Sequence, residues 1–227
     1  ELDNYRGIAV GSCIGKVFSL VLHARLSQWS ESQGLRAAGQ AGFRDGFRSS
    51  DHVFVLKHLV DRCRAPGSQH GKLYACFVDC RKAYDLVHRD LLLRCLTDLG
   101  VRGKMLGALA SMYWRAPMTV KNGATLGATF NSTRGVKQGD PLSLLLFGLF
   151  IDRFERWLAE RLPDTGVQLG AQLVRLLLYA DDLTLLASSA SELQALLDAL
   201  HEFSTQNSLQ VNDAKSALEE LGQSAPR

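Results

Sequence analysis

Apolar residues recur along the chain in two rhythms, and the switches between them mark out its elements. Residues 15–29 follow helical spacing, with Val17, Leu20, Val21, Leu22 and Leu26 as the apolar set. A second helix over residues 53–60 stops near Arg64-Ala65-Pro66-Gly67-Ser68, a breaker stretch that predicts a boundary between two lobes. Residues 73–80 form a β-prone apolar run that reaches an acid, Asp79, near its end. Helical spacing resumes over residues 86–99, and Gly100 supplies the stop. Residues 118–121 and 128–131 flank Asn122-Gly123 and Gly127, which predicts a strand pair. Asp140-Pro141 reads as an N-cap followed by proline at the first helical position, opening one largely buried helix over residues 142–158. Residues 173–178 and 183–187 predict the two strands of a hairpin. Ser189 to Glu192 forms a capping box for a last helix with Leu193, Leu196, Leu197, Leu200 and Phe203 inward. This order predicts an α+β fold, an antiparallel sheet backed by helices.

The hairpin turn carries the most informative residues, Tyr179-Ala180-Asp181-Asp182. Two adjacent carboxylates against an apolar sheet repel each other and lose solvation, and a bound divalent cation removes both penalties. Alone, the pair is an ordinary Asp-Asp turn. Asp79 changes the picture, because it closes a strand just before the chain turns into a helix. With that strand beside the hairpin, Asp79 meets Asp181 and Asp182. Three carboxylates make an all-oxygen site, which suits Mg²⁺ rather than zinc. Such a site matches two-metal phosphoryl transfer: one ion acidifies an attacking hydroxyl and the other neutralises the phosphates and leaving group.

Six segments, in order, resemble the reverse transcriptases of non-LTR (LINE-like) retrotransposons. They are Asn4-Tyr5-Arg6-Gly7-Ile8; Gln40-Ala41-Gly42-Phe43-Arg44 with Arg48-Ser49-Ser50-Asp51-His52; Phe77 through Asp79 to Asp85; Gly135-Val136-Lys137-Gln138-Gly139-Asp140-Pro141-Leu142-Ser143; the Tyr179 turn; and Leu209-Gln210-Val211-Asn212-Asp213-Ala214-Lys215. Gly7, Leu144 and Gly148 depart from the family pattern without removing a catalytic group. The resemblance implies the fingers-palm core of a right-hand polymerase without its thumb. Residues 1–70 would be the approximate fingers part and residues 71–227 a palm with an interleaved fingers segment. It makes Asp79, Asp181 and Asp182 the catalytic metal ligands, for two Mg²⁺ ions with Mn²⁺ as an alternative.

Further roles come from the same likeness. Tyr84 would be the aromatic floor beneath the sugar, excluding a 2′-hydroxyl. Gln138 and Gly139 would flank the nucleotide just before a helix N-terminus, where phosphate is favoured. Arg6 would contact the triphosphate, and Lys215 the leaving pyrophosphate. The implied partners are an RNA template, a DNA primer and deoxynucleoside triphosphates. The family also has more sequence before Asn4 and a primer grip and thumb at the end, so the chain reads as a fragment of a larger element protein. The rival reading is a truncated, inactive nucleic-acid-binding relic. An RNA-directed RNA polymerase is disfavoured by Tyr84.

Composition adds bounds. The 227 residues are 46% apolar, enough for a sizeable core. The longest apolar run, residues 144–151, is too short to cross a membrane, so no membrane partner is expected. No charged segment precedes an apolar signal stretch. Five cysteines form no C-x-x-C pair and read as reduced thiols of an intracellular protein, with the nucleus one compartment open to it. The net charge of +3 hides a pattern: residues 81–137 carry ten Lys and Arg against three acids, and residues 138–227 carry six against thirteen. A basic middle suits a nucleic-acid backbone and the acidic part suits metals.

Overall fold

The computed structural model describes residues 7–65, 71–114 and 116–222. In chain order its elements are α1 (Cys13–Ser32), α2 (Ser49–Arg64), β1 (Leu73–Val78), α3 (Ala83–Leu86), α4 (Arg89–Asp98), α5 (Gly103–Trp114), β2 (Ala116–Asn122), β3 (Thr125–Ser132), α6 (Pro141–Ile151), α7 (Arg153–Arg161), β4 (Val167–Leu169), β5 (Gln172–Val174), β6 (Leu176–Tyr179), β7 (Asp182–Ala187), α8 (Ala190–Asn207) and β8 (Ala217–Leu221). The architecture is α+β with antiparallel sheets, as the patterning predicts. The chain forms two compact units, one from residues 1–35 and 84–150, the other from residues 36–83 and 151–227.

The second unit holds a four-stranded antiparallel sheet in the order β6-β7-β1-β8. Successive strand residues point to opposite faces, and in β6, β7 and β1 both faces are largely apolar and buried, whereas β8 is exposed. Leu73 and Ala75 of β1, Leu177 of β6 and Leu186 of β7 pack with Leu59 and Cys63 of α2. The alternate residues Cys76, Val78, Leu183, Leu185 and Ala187 are buried as well, and α8 packs on β7 and β1. Burial on both sides explains why these strands read as unbroken apolar runs. Phe203 of α8 meets Phe154 and Trp157 of α7, with ring centroids 4.9 and 5.7 Å away.

Three expected elements are interrupted. The helix expected over residues 142–158 breaks at Asp152, between α6 and α7. The Asp152 carboxylate is buried, accepting from Arg36 Nε at 2.6 Å and Gln40 Nε2 at 3.3 Å. The strand expected over residues 173–178 breaks at Arg175. Its guanidinium donates to the carbonyls of Leu158, Leu162 and Pro163, satisfying the C-terminal end of α7. The helix expected over residues 86–99 begins only at Arg89, because His88 is extended (φ −77°, ψ 113°). Its stop at Gly100, with φ +102°, is as expected.

The first unit contains α1, α4, α5, the β2–β3 ribbon and most of α6. Leu142, Leu145, Leu146, Phe147, Leu149 and Phe150 of α6 are all buried, so this helix has no polar face. In α1 only part of the expected apolar set is inward: Leu22 and Leu26 are buried, while Val17, Leu20 and Val21 are exposed. One guanidinium organises the approach to α6. Arg89 donates to the carbonyls of Gly135, Tyr113, Ser132 and Arg134. No helix among the described residues is long and apolar enough to cross a membrane.

Candidate active site

The register of β1 against β7 builds the site. Tyr74 pairs with Ala187 and each following step holds to Val78 opposite Leu183. One step further, the same register sets Asp79 across from Asp182. On the other side, Tyr179 pairs with Asp182 and closes a two-residue turn of Ala180 and Asp181. Of these two only Ala180 has positive φ, at 61°, as in the type II′ turns that fit hairpin twist. Without glycine this conformation costs about 1–3 kcal/mol and lasts only where the surroundings enforce it. The three sequence-predicted acids are thus brought to one edge of the sheet.

The thiol of Cys80 reports on their clustering. Burial pushes it up to about 12, and Asp181, Asp79 and Asp182 add to the rise in that order. The three carboxylates supply oxygen donors at this edge. That chemistry fits a hard divalent cation. The side chains are not converged on one point, however: no group of three His, Cys, Asp or Glu among the described residues is placed to hold an ion as it stands.

Asp79 is tied down from the other side of β1. Asn212 Nδ2 donates to its Oδ2 at 2.9 Å, and its carbonyl accepts from the Asn212 amide at 2.8 Å. The Asp79 amide donates to Ser216 Oγ at 3.3 Å. A Cys80–Val211 bridge and an Arg81 N–H to Gln210 carbonyl bond extend the tie. Lys215 follows in an exposed turn, its amide bonded to the Asn212 carbonyl. A cleft of about 190 Å³ opens beside the hairpin, bordered by Asp182, Tyr179, Thr184, Phe77 and His52.

Tyr84, Gln138 and Gly139 belong to the first unit. The Tyr84 ring packs on Phe147 of α6, with centroids 4.5 Å apart. Its carbonyl accepts from the Val136 amide at 2.8 Å, and Gln138 Nε2 donates to Asp85 Oδ1 at 2.8 Å. The loop over residues 135–139 is therefore held against residues 84–87. Gly139 has φ +98°, which only glycine adopts readily. Asp140 accepts from the Leu142 amide and from Ser19 Oγ, which completes the expected cap of α6. Arg6 lies outside the described residues.

Sequence reasoning missed Asn212, Ser216 and the buried Gln40, whose side chain bonds the amide of Ala180. Asn212 and Gln40 lie in segments noted for their resemblance. Their types carried no chemical signal, since each acts through a hydrogen bond to a residue more than 130 positions away.

Comparison with known proteins gives the chain its family. The family model described as reverse transcriptase (RNA-dependent DNA polymerase) matches residues 1–222. The chain is 29% identical to the Pol polyprotein of a type-1 retrotransposable element R2 from Nasonia vitripennis, over 86% of this chain and 18% of that protein. It is 32% identical to a 149 kDa protein of transposon TX1 from Xenopus laevis, over 74% of this chain and 12% of the other. It is 27% identical to the R2DM polyprotein of Drosophila melanogaster, over 94% and 19%. The chain thus spans less than a fifth of the length of these relatives. Among solved structures, telomerase from Candida albicans, in complex with a fragment of telomeric RNA, superimposes with a TM-score of 0.65 at 14% identity, over 88% of this chain and 35% of that one. Apo telomerase from Candida tropicalis, truncated from its C-terminal domain, gives 0.62 at 15% identity, over 92% and 40%. The likeness to non-LTR retrotransposon reverse transcriptases holds. With a match that runs over nearly every residue, the chain belongs to the reverse transcriptase (RNA-dependent DNA polymerase) family.

Proposed function

We propose that this chain is the fingers-palm core of the RNA-directed DNA polymerase of a retrotransposon protein. It extends a primer 3′-hydroxyl with deoxynucleotides on an RNA template and releases pyrophosphate. The observation that carries this reading is the β1–β7 register, which brings Asp79 to the Asp181–Asp182 turn. Residues 1–70 are assigned to the fingers and the rest to a palm with an interleaved fingers segment. The family works with divalent metal. Here Asp79, Asp181 and Asp182 would hold two Mg²⁺ ions, or Mn²⁺ in their place, after a rotation of side chains that already share an edge. Bound there, the ions would acidify the primer hydroxyl and offset charge on the phosphates.

The chain's own residues orient and select. Asn212 fixes the direction of the Asp79 carboxylate. Tyr84 excludes a 2′-hydroxyl, Gln138 and Gly139 contact the nucleotide, Arg6 holds the triphosphate and Lys215 meets the pyrophosphate, each by family likeness. An intracellular setting with access to the nucleus fits this work.

Primer extension with Mg²⁺ on RNA and DNA templates tests the proposal. Wild type should extend. Asp79→Asn and Asp181→Asn should each lose about a thousandfold in rate or more, equivalent to at least ~4 kcal/mol of transition-state stabilisation. Undiminished extension in either variant would rule out the metal site. A folded wild type that binds hybrid but never extends it would be the relic.

A further inference from the structure

Gln40 holds the peptide that aims the two adjacent acids. We propose that it is a positioning residue for the metal site, a role that rests on the metal reading above. Residues 39–42 lie along the outer edge of β6, the outermost strand of the sheet, and reach its turn. Gln40 bridges to Leu178 in parallel, the Ala41 amide donates to the Leu178 carbonyl at 2.9 Å, and the Leu178 amide donates to the Gly39 carbonyl at 2.8 Å. This strap covers an edge that would otherwise invite pairing. It lies close enough that a Cβ on Gly39 would come within 2.5 Å of the Leu176 carbonyl, and one on Gly42 within 2.3 Å of the Ala180 nitrogen.

The side chain of Gln40 is fully buried and uses both ends. Its Oε1 accepts from the Ala180 amide at 3.0 Å and from the Gly42 amide at 2.8 Å. Its Nε2 donates to Asp152 Oδ1 at 3.3 Å, and Asp152 Oδ2 accepts from Arg36 Nε at 2.6 Å. One end faces two donors and the other a carboxylate, so only one orientation of the amide satisfies all partners. A glutamate would set two buried carboxylates against each other. Beyond the clamp, Ala180 sits at φ 61° without being glycine, and the next residue is Asp181. A strained turn held by a buried, fully bonded side chain is a pre-organised one. The chain Arg36–Asp152–Gln40–Ala180 therefore sets the direction in which Asp181 and Asp182 leave the hairpin.

The test compares wild type with Gln40→Met, which keeps the shape and removes both hydrogen-bonding ends. Two readouts are taken: hydrogen exchange of the Ala180 amide by NMR, and Mn²⁺ binding by water-proton relaxation. Leu200→Ala, in α8, serves as a variant of comparable thermal destabilisation. Gln40→Met should speed Ala180 exchange about tenfold or more while the β1–β7 ladder keeps its protection. It should also raise the Mn²⁺ dissociation constant about tenfold. Leu200→Ala should lower the melting temperature and change neither readout. If Gln40→Met does not fold, Gln40→Glu with Asp152→Asn exchanges the two groups and should keep both readouts within about threefold of wild type, whereas Gln40→Glu alone should not. Unchanged Ala180 exchange in Gln40→Met, or a loss of Mn²⁺ affinity no larger than in Leu200→Ala, would overturn the role. Wild type that binds no Mn²⁺ would instead remove the metal reading, and with it the purpose of the clamp. That failure is recognisable because it appears without any substitution.

Discussion

Cys80 shows what burial, with acids beside it, imposes on a single thiol. Its thiol titrates near 9.0 when unperturbed and is pushed up to about 12 by burial and then by Asp181, Asp79 and Asp182. A folded-state value above the unfolded one favours the fold fully below about pH 9, and that contribution is lost as pH rises toward 12. Tyr113, raised from 10.0 to about 12 mainly by burial, adds a loss of the same sign at slightly higher pH. The unfolding midpoint should therefore fall steadily above pH 9, and Cys80→Ala should flatten the first part of that fall. Iodoacetamide at pH 9 should label the exposed Cys13 and leave Cys80 unmodified until the chain unfolds. A Cys80 that labels as fast as Cys13 in the folded chain would contradict this. Tyr84 supports a second prediction. Its ring touches Phe147, so it packs, beside the screening role proposed for it. Tyr84→Ala should cost about 1–3 kcal/mol of stability and cut the preference for deoxynucleotides over ribonucleotides roughly a hundredfold. Incorporation efficiencies on one primer-template measure it. If both efficiencies fall together with the ratio intact, packing is its whole role.

At the scale of elements, the strap over residues 39–42 makes the sharpest demand on sequence. Gly42→Ala would bring a methyl to 2.3 Å from the Ala180 nitrogen, a backbone atom that cannot swing aside as a flexible side chain would. A destabilisation of about 3 kcal/mol is expected. It should be read as a lowered denaturant midpoint at unchanged slope; wild-type stability would mean that the strap is not seated. The strap also shows what was hidden. β1, the β6–β7 hairpin and α8 were legible because both faces or one stripe of each are apolar, and local patterning follows burial directly. The breaks at Asp152 and Arg175 were not, because their causes are distant: Arg36 and Gln40 for the first, and the carbonyls ending α7 for the second. α5 and β8 escaped notice too. β8, Ala-Leu-Glu-Glu-Leu, has no strand alternation and takes its place through pairing with β1. The acids of the site were visible since carboxylates in apolar surroundings need a reason. Asn212 and Gln40 were chemically silent, being neutral amides whose meaning lies in partners.

For the whole molecule, charge is where the linear and folded descriptions part. Along the sequence, residues 81–137 look strongly basic and residues 138–227 acidic. Grouped by the compact units, the first carries eleven Lys and Arg against seven acids, and the second fifteen against sixteen. Folding spreads the acidic tail among the basic residues of its own unit, and the surplus of positive charge belongs to the first. If nucleic acid is held mainly through phosphates, the first unit should supply most of the counterion release. Binding to an RNA–DNA hybrid should then weaken steeply with salt, each neutralised phosphate contributing about 0.9 to the slope of log K against log salt on a duplex. Lys104 and Lys121 are exposed in that unit. Replacing both by alanine should reduce the slope by up to about two and weaken binding equally on unrelated sequences. Lys57 is exposed in the second unit and already paired with Asp61, so Lys57→Ala should leave the slope where it was. Fluorescence anisotropy at several salt concentrations gives all three slopes. A binding constant that stays flat from low to physiological salt would refute the phosphate-dominated mode outright, and a slope that responds to Lys57 but to neither Lys104 nor Lys121 would place the nucleic acid on the second unit instead.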